Sequence, residues 1–140
     1  MPHVTGYILD TNVLLELARG NERGQRIAAE FDLQRTLANS MVSVVTVGEM
    51  IALARKFGWG SSKRDSLRKM LDQLVQIGIG HREVLEAYGE IDQFSRSVGV
   101  AMGQNDIWIA ATAKATGATL LTTDRDFDHL HGIHLTRIWF

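Results

Sequence analysis

Short apolar runs rich in β-branched residues alternate with longer amphipathic segments along this chain, and this alternation limits the possible folds more than any other feature. The runs are predicted to be strands and the longer segments helices. Because parallel strands need crossover connections of this length, the pattern predicts an α/β protein, a sandwich with a parallel sheet and helices on both faces. The predicted strands are residues 7–9, 41–45, 77–79, 119–122 and 133–136.

Capping residues and glycines bound the segments that are predicted to be helical. Asp10, Thr11 and Asn12 follow the first strand and can cap the helix predicted for residues 13–18, which Gly20 ends. The other predicted helices are residues 22–38, 46–57, 63–76, 81–98 and 105–116, and Ile27, Phe31 and Leu37 are expected to be buried in the first of these. Because no repeat or long linker interrupts the pattern, we expect residues 1–140 to form a single domain.

The composition excludes several kinds of chemistry and location. The chain contains no cysteine, which excludes disulfides, zinc–thiolate sites and thiol nucleophiles. No apolar stretch approaches the ~18 residues that a membrane helix needs. The first residues also lack the basic and then apolar pattern of a secretion signal. We therefore expect a cytoplasmic protein.

Acidic residues recur where the predicted strands end. They are Asp10 after the first strand, Glu49 in the first turn after the second, Asp106 at the start of a later helix, and Asp124 and Asp126 after the fourth strand. Ligands of open α/β sheets bind outside the carboxyl ends of the strands, so we expect these acids to converge. Crowded carboxylates stay ionised together only beside a cation, and all-oxygen ligand sets suit Mg²⁺ or Mn²⁺.

Each acid also has a purely structural interpretation. Asp10 could serve only as a helix cap, Asp124 only as a turn former, and Asp106 only to complement a helix dipole. The segment 46–49 has the pattern of a capping box, in which Glu49 would bond to the Thr46 amide. Because all four acids recur at one predicted sheet edge, a shared metal site explains them better than four separate structural roles.

The net charge is compatible with a nucleic-acid partner if the acids are clustered. Fifteen basic and sixteen acidic residues give a formal charge of −1, which by itself is unlike a nucleic-acid-binding protein. If five carboxylates surround metal ions, eleven acids remain against the fifteen basic residues, a surplus of +4. The acids would then form a cation-binding pit within a more basic surface.

Four ordered segments and the end of the chain carry a family resemblance. The segments are residues 9–13, 43–49, 105–113 and 121–127, and the ending is residues 132–139. In residue type, order and spacing they resemble the PIN-domain ribonucleases, specifically the VapC-type toxins of bacterial and archaeal toxin–antitoxin pairs. The resemblance covers essentially the whole chain.

This resemblance implies a PIN-like three-layer α/β/α sandwich with a parallel sheet of four or five strands. It also implies a Mg²⁺- or Mn²⁺-dependent endoribonuclease that hydrolyses RNA phosphodiesters with metal-activated water. The implied catalytic and metal-binding residues are Asp10, Glu49, Asp106 and Asp124, with Asp126 as a further acid and Thr11, Asn12 and Thr123 as auxiliary groups. Asn105 is expected to cap the helix that carries Asp106.

The resemblance also implies partners. These are an RNA substrate such as transfer or ribosomal RNA, a cognate VapB-type antitoxin that inhibits the site, and a second copy of the chain in a homodimer, with no membrane. Five basic residues are candidate contacts for the RNA backbone, namely Arg19, Arg55, Lys56, Arg96 and Arg125.

Two alternatives remain open at the level of sequence. A haloacid-dehalogenase-like phosphatase also places an aspartate after its first strand and uses Mg²⁺, but it needs a second acid two residues later, where this chain has Asn12. A catalytically inert PIN-fold module that binds RNA or an antitoxin would keep the fold without the activity. The presence of all four acids favours the enzyme.

Overall fold

A computed structural model describes residues 6–31 and 40–140, and within them five parallel strands form one sheet. The strand order is β3-β2-β1-β4-β5, so the first strand is central. The strands are β1 (Tyr7–Leu9), β2 (Met41–Ser43), β3 (Val75–Ile77), β4 (Thr119–Thr122) and β5 (Arg137–Trp139). This arrangement confirms the predicted parallel α/β architecture with five strands.

The described helices connect these strands as crossovers. They are α1 (Thr11–Arg19), α2 (Glu22–Phe31), α3 (Val44–Lys56), α4 (Ser61–Gln73), α5 (Arg82–Ser97), α6 (Gln104–Thr116) and a 3₁₀ helix, Arg125–Leu130. The remainder of the predicted second helix, with Leu37, lies outside the described residues. None of the helices in the described ranges is both long and apolar enough to cross a membrane.

The two faces of the sheet carry separate hydrophobic cores. Neighbouring residues on a strand point to opposite faces, and the three central strands therefore divide their apolar side chains between the two cores. Helices α5 and α6 and the 3₁₀ helix cover one face, whereas α1 to α4 cover the other. The first core contains Ile8, Met41 and Leu120, and the second contains Leu9, Val42 and Leu121.

Helix α6 is positioned by small buried side chains. Ala110, Ala111 and Ala113 are all essentially inaccessible and belong to the core under the sheet. Small side chains let a helix approach its neighbours closely, which fixes its direction and the position of its first turn. That first turn carries Asp106 toward the carboxyl edge of the sheet.

Two predicted strands were placed wrongly along the sequence. The third strand is Val75–Ile77 rather than residues 77–79, and the last is Arg137–Trp139 rather than residues 133–136. Ile133 instead lies in the turns that precede β5 and is 65% exposed. Both strands are at the sheet edges and are only partly buried, so a buried apolar run does not mark them.

The second strand is shorter than predicted because a helix cap ends it. The Ser43 side chain accepts a hydrogen bond of 3.1 Å from the Val45 amide, and α3 begins at Val44. The predicted strand had continued to Val45, and the predicted helix had begun at Thr46. This two-residue change in the helix start alters the position of Glu49 on the helix.

Candidate metal centre

The carboxyl edge of the sheet carries a cleft of about 400 Å³ that is lined by acids from four separate segments. Asp10, Glu49, Asp106 and Asp124 all line it. Asp126 lies at its side, because one carboxylate oxygen each from Asp106, Asp124 and Asp126 can be chosen so that all lie within 4.8 Å of one another. The fold therefore brings together the five acids that the sequence singled out.

Asp10 is the most deeply buried acid of the cleft, at 3% exposure. Its carboxylate accepts hydrogen bonds of 2.7 Å from the Thr11 amide, as a helix cap, and 2.7 Å from the Thr122 hydroxyl. Burial raises the pKa of Asp10 to about 6; these two hydrogen bonds lower it, and the nearby charges of Asp124 and Glu49 raise it further. Capping α1 and facing the acidic cleft are thus compatible roles for the same carboxylate.

Glu49 is held by two other elements rather than by its own helix. Its carboxylate accepts a hydrogen bond of 2.7 Å from the Thr11 hydroxyl and one of 3.3 Å from the Asn105 side-chain amide. The alternative interpretation of residues 46–49 as a capping box does not hold, because α3 begins at Val44 and Glu49 lies beyond its first turn. The side chain therefore points to the cleft, where α1, α3 and α6 meet.

Asp106 occupies the first turn of α6, as predicted. Burial raises its pKa to about 7, and the surrounding charges of Asp10, Asp124, Asp126 and Glu49 contribute to the increase. The predicted capping role of Asn105 is wrong: Gly103 is the cap residue, without a side-chain hydrogen bond, and Asn105 lies inside the helix. A cation in the cleft would relieve the repulsion that raises the Asp106 pKa.

A buried hydroxyl that the sequence pattern did not reveal joins two of the acids. Thr122 ends β4, donates to Asp10 and accepts a hydrogen bond of 2.9 Å from the Asp124 amide. Asp124 in turn caps the 3₁₀ helix through a bond of 2.9 Å from the Asp126 amide. The only available sequence signal was a threonine at the end of an apolar strand, two residues before an acid.

The three predicted auxiliary residues differ in what they contact. Thr11 holds Glu49, as described above, and Asn12 is exposed on the wall of the cleft. The contact that Thr123 makes is through its backbone carbonyl oxygen, which accepts a hydrogen bond of 3.2 Å from the Trp139 indole nitrogen. Within the described residues, Thr11 is the one of these three whose side chain is bonded to an acid of the cleft.

The donor atoms of the cleft fit a hard divalent cation. Its lining offers carboxylate oxygens, the Thr11 hydroxyl and the Asn12 amide, and the residues described there include no histidine. All-oxygen donor sets of this kind suit Mg²⁺ or Mn²⁺ rather than softer metals. The raised pKa values of Asp10 and Asp106 reflect the burial and crowding that such a cation would offset.

The candidate basic residues are distributed unevenly around this site. Lys56 lines the cleft itself, and Arg125 lies between Asp124 and Asp126 in the sequence. The other three lie elsewhere: Arg19 stacks on the Phe57 ring, Arg55 lines a groove between α3 and α4, and Arg96 pairs with Asp92 on α5. Two of the five candidate RNA contacts therefore adjoin the acids.

A parallel sheet of this order, with acids from four segments at its carboxyl edge, defines an α/β protein with an acidic cleft suited to hard cations. The chain belongs to the PIN domain family, whose sequence profile matches residues 7–133. This match confirms the resemblance to the PIN-domain family and decides against the phosphatase alternative.

Comparisons with individual proteins support the assignment to the PIN domain family. The chain is 30% identical over 138 residues to the plasmid stability protein StbB of Pseudomonas syringae pv. tomato, covering 94% of this chain and 97% of that protein. It is 31% identical over 99 residues to the ribonuclease VapC4 of Mycobacterium tuberculosis, covering 69% and 75% of the two chains. Its fold is similar to a chain of DNA-bound VapBC from Salmonella typhimurium, with a TM-score of 0.81, 19% identity, and coverage of 96% and 98%.

Proposed function

We propose that this chain is a divalent-metal-dependent endoribonuclease, the toxin of a VapBC-type toxin–antitoxin pair, and that a cognate VapB-type antitoxin inhibits it. The observation that carries the proposal is the convergence of carboxylates from four distant segments on one cleft. Membership of the PIN domain family and the similarity to a VapC ribonuclease support the same function.

The proposed metal ligands are Asp10, Glu49, Asp106 and Asp124, with Asp126 at the outer side of the group. When bound, Mg²⁺ or Mn²⁺ would activate a water molecule and neutralise charge on the scissile phosphodiester. The chain itself fixes the ligands: hydroxyl and amide donors hold the carboxylates of Asp10 and Glu49 before any ion arrives. Such preorganisation lowers the cost of assembling the site.

The proposed substrate is RNA, with structured transfer or ribosomal RNA as the class to test first. Lys56 is exposed on the wall of the acidic cleft, where its ammonium group can bind a phosphate next to the one that is cut. Because water rather than the RNA 2′-hydroxyl would attack the phosphorus, we expect products with 5′-phosphate and 3′-hydroxyl ends.

The proposed assembly contains partner proteins. We propose that it acts in the cytoplasm and that residues 1–140 form a single domain. Several large apolar side chains are exposed, among them Ile51 on α3 and Leu85 on α5. Single exposed apolar side chains are normal on any protein surface, so the proposal of partners rests on the similarity to a chain of a VapBC complex. A second copy of the chain and the antitoxin are the proposed partners.

The proposed function is tested by mapping RNA ends. The wild-type chain, Asp106→Asn and the matched control Asp65→Asn are each induced in a bacterium, and 5′-phosphate RNA ends are sequenced. Asp65 is an exposed residue of α4 paired with Arg68, so its replacement leaves the cleft intact. Growth arrest and discrete new ends are expected for wild type and Asp65→Asn only. New ends that persist in Asp106→Asn would contradict the proposal.

Metal binding separates an enzyme from an inert binding module. Calorimetric titration of the purified chain with Mn²⁺ is expected to show binding by wild type and Asp65→Asn and strongly weakened binding by Asp106→Asn. An inert module that kept the fold without the site would show no difference between these proteins. Equal Mn²⁺ affinity in all three, together with an absence of new RNA ends, would therefore support the inert module.

A further inference from the structure

An arginine and a tryptophan form an exposed stacked pair beside the acidic cleft. The guanidinium carbon of Arg125 lies 3.9 Å from the centroid of the Trp139 ring. The Arg125 side chain is 65% exposed, and Trp139 is 40% exposed. The pair therefore presents an accessible aromatic ring and an accessible cation side by side.

The Arg125–Trp139 pair is anchored to the same backbone that carries the acids. Trp139 lies in register with Thr122 across β4 and β5, and its indole nitrogen donates a hydrogen bond of 3.2 Å to the Thr123 carbonyl. The next residue after Thr123 is Asp124, and Arg125 follows it. The pair is thus held at a fixed position next to the outer acids of the cleft.

The ion pair that Arg125 forms with Asp128 is weak. Its contact with Asp128 is 3.4 Å and exposed, whereas Arg137 holds the same carboxylate at 3.0 Å and is only 22% exposed. If Arg125 turned to another anion, Asp128 would remain paired with Arg137. The exchange of one exposed ion pair for another costs little free energy.

We propose that the Arg125–Trp139 pair binds single-stranded RNA next to the scissile phosphodiester: a base stacks on the planar surface formed by the ring and the guanidinium group, and Arg125 contacts the adjoining phosphate. Aromatic rings interleaved with cations bind single strands in this way, largely independently of sequence. This inference rests on the proposed function, because it assigns the substrate-holding residues of the same site.

The pair favours single-stranded over duplex RNA. Bases in a duplex are stacked on one another, so they are not available to stack on the Arg125–Trp139 pair. The five acids of the cleft repel an RNA backbone, so cations placed directly beside them are needed to hold the flanking phosphates. Lys56 on the cleft wall and Arg125 next to Asp124 meet this requirement on the described surface.

The test measures binding of a fluorescein-labelled, mixed-sequence, single-stranded 16-nucleotide RNA by anisotropy. All proteins carry Asp106→Asn to prevent cleavage. This substitution leaves the Arg125–Trp139 pair unchanged, because Asp106 is not part of it. Arg125→Ala, Trp139→Ala and Trp139→Phe are compared with the control Arg96→Ala, which removes an exposed arginine of α5 paired with Asp92. Circular dichroism checks that each variant is folded.

Arg125→Ala and Trp139→Ala are each expected to weaken binding about tenfold, whereas Trp139→Phe, which keeps an aromatic face, and Arg96→Ala change it less than threefold. Arg125→Ala should also reduce the slope of log affinity against log salt by about 0.7, the value for one phosphate contact on a single strand. A merely structural role for Arg125 would leave that slope unchanged. A duplex of the same sequence is expected to compete poorly.

Two results would overturn the inference: no measurable binding by the Asp106→Asn protein, or affinities and salt slopes of Arg125→Ala and Trp139→Ala that match Arg96→Ala. Failure of the proposed function is distinguishable, because it is decided by new RNA ends and Mn²⁺ binding in proteins that retain Arg125 and Trp139. If the chain cuts RNA but binds it equally well without the Arg125–Trp139 pair, the proposed function is supported and the inference about the pair is wrong.

Discussion

The inner and outer halves of the acidic cleft are built in different ways. Asp10 and Glu49 form the inner half, where the Thr11 amide, the Thr11 and Thr122 hydroxyls and the Asn105 amide hold their carboxylates. Asp124 and Asp126 form the outer half, on a short 3₁₀ turn beside the exposed Arg125–Trp139 pair. The contrast is greatest between Asp10 and Asp126: the Asp10 carboxylate is buried and hydrogen-bonded through both oxygens, whereas Asp126 is exposed.

This difference suggests a division of labour between the two halves. Carboxylates whose oxygens are already hydrogen-bonded lose little conformational entropy when they bind an ion. The inner half can therefore set the coordination geometry. The exposed Asp126 carboxylate, by contrast, can adjust to the shape of an incoming RNA. Variants in the inner half should consequently have larger effects on the chemistry than matched variants in the outer half.

The largest expected difference is between Asp10→Asn and Asp126→Asn. Asparagine preserves the shape and the helix-capping ability of Asp10 but removes a charged ligand, which is worth several kcal/mol of transition-state stabilisation in a metal site. We expect Asp10→Asn to reduce the rate of RNA cleavage on the order of a thousandfold and Asp126→Asn about tenfold. Initial rates on the mapped target RNA measure both, and equal losses would remove the distinction between the two halves.

The next effect concerns the buried hydroxyl that links the two halves. Thr122→Val keeps the shape of the side chain but removes the hydrogen bonds to Asp10 and from the Asp124 amide. Loss of a group that orients a metal ligand typically lowers metal affinity about 10- to 100-fold, and calorimetry with Mn²⁺ measures it. The neighbouring Thr123→Val is the control. A larger loss in Thr123→Val than in Thr122→Val would show that the assignment of the orienting hydroxyl is wrong.

Metal affinity should also depend on pH through Asp106. Because the pKa of this carboxyl is about 7 in the metal-free protein, an ion must displace a proton at lower pH. We expect Mn²⁺ affinity to rise about tenfold between pH 6 and pH 8 and then to level off. Titrations in buffers of different ionisation enthalpy measure the released proton. Binding without proton release at pH 6 would contradict the raised pKa.

The smallest effect is on the stability of the metal-free protein. The folded pKa values of Asp10 and Asp106, about 6 and 7, lie above the ordinary value of 3.8. The folded state therefore binds more protons than the unfolded state, and the free energy of unfolding falls as pH rises from about 4 through 7. Asp106→Asn should be more stable than wild type at pH 8 by roughly 1 kcal/mol, allowing for the partial exposure of this group.

Urea unfolding in the presence of EDTA measures this difference, and repeating it at pH 5 should give a smaller one. Added Mn²⁺ should reverse the order, because it stabilises only the protein that binds it. A wild-type protein that stays more stable than Asp106→Asn at pH 8 in EDTA would indicate that the acids do not repel one another in the folded state.

The sequence predicted the central part of the fold better than its margins. Strands β1 and β4 matched the prediction because both are buried on two faces and therefore appear as apolar runs. Strands β3 and β5 were misplaced because each lies at a sheet edge, is only partly buried, and is held by pairing with one neighbour. Backbone pairing leaves little trace in residue type.

The acids of the cleft were predictable, but the groups that hold them were not. Four of the five acids follow a strand or open a helix, and Glu49 lies in the helix that follows the second strand; those positions are visible in the sequence. The donors are paired through space: Thr122 bonds to Asp10 across 112 positions, and Asn105 to Glu49 across 56. Only the folded backbone brings such residues together, so the sequence does not reveal the role of Thr122 and predicts only a capping role for Asn105.

The central position of β1 has a consequence for synthesis of the protein on the ribosome. Asp10 directly follows β1, the first of the five described strands, yet β1 pairs with β4, the fourth of them. Until residues 119–124 have emerged, the Asp10 carboxylate lacks the Thr122 hydroxyl and the cleft lacks Asp124. The proposed nuclease site therefore cannot assemble on a growing chain until β4 and the residues that follow it have been synthesised.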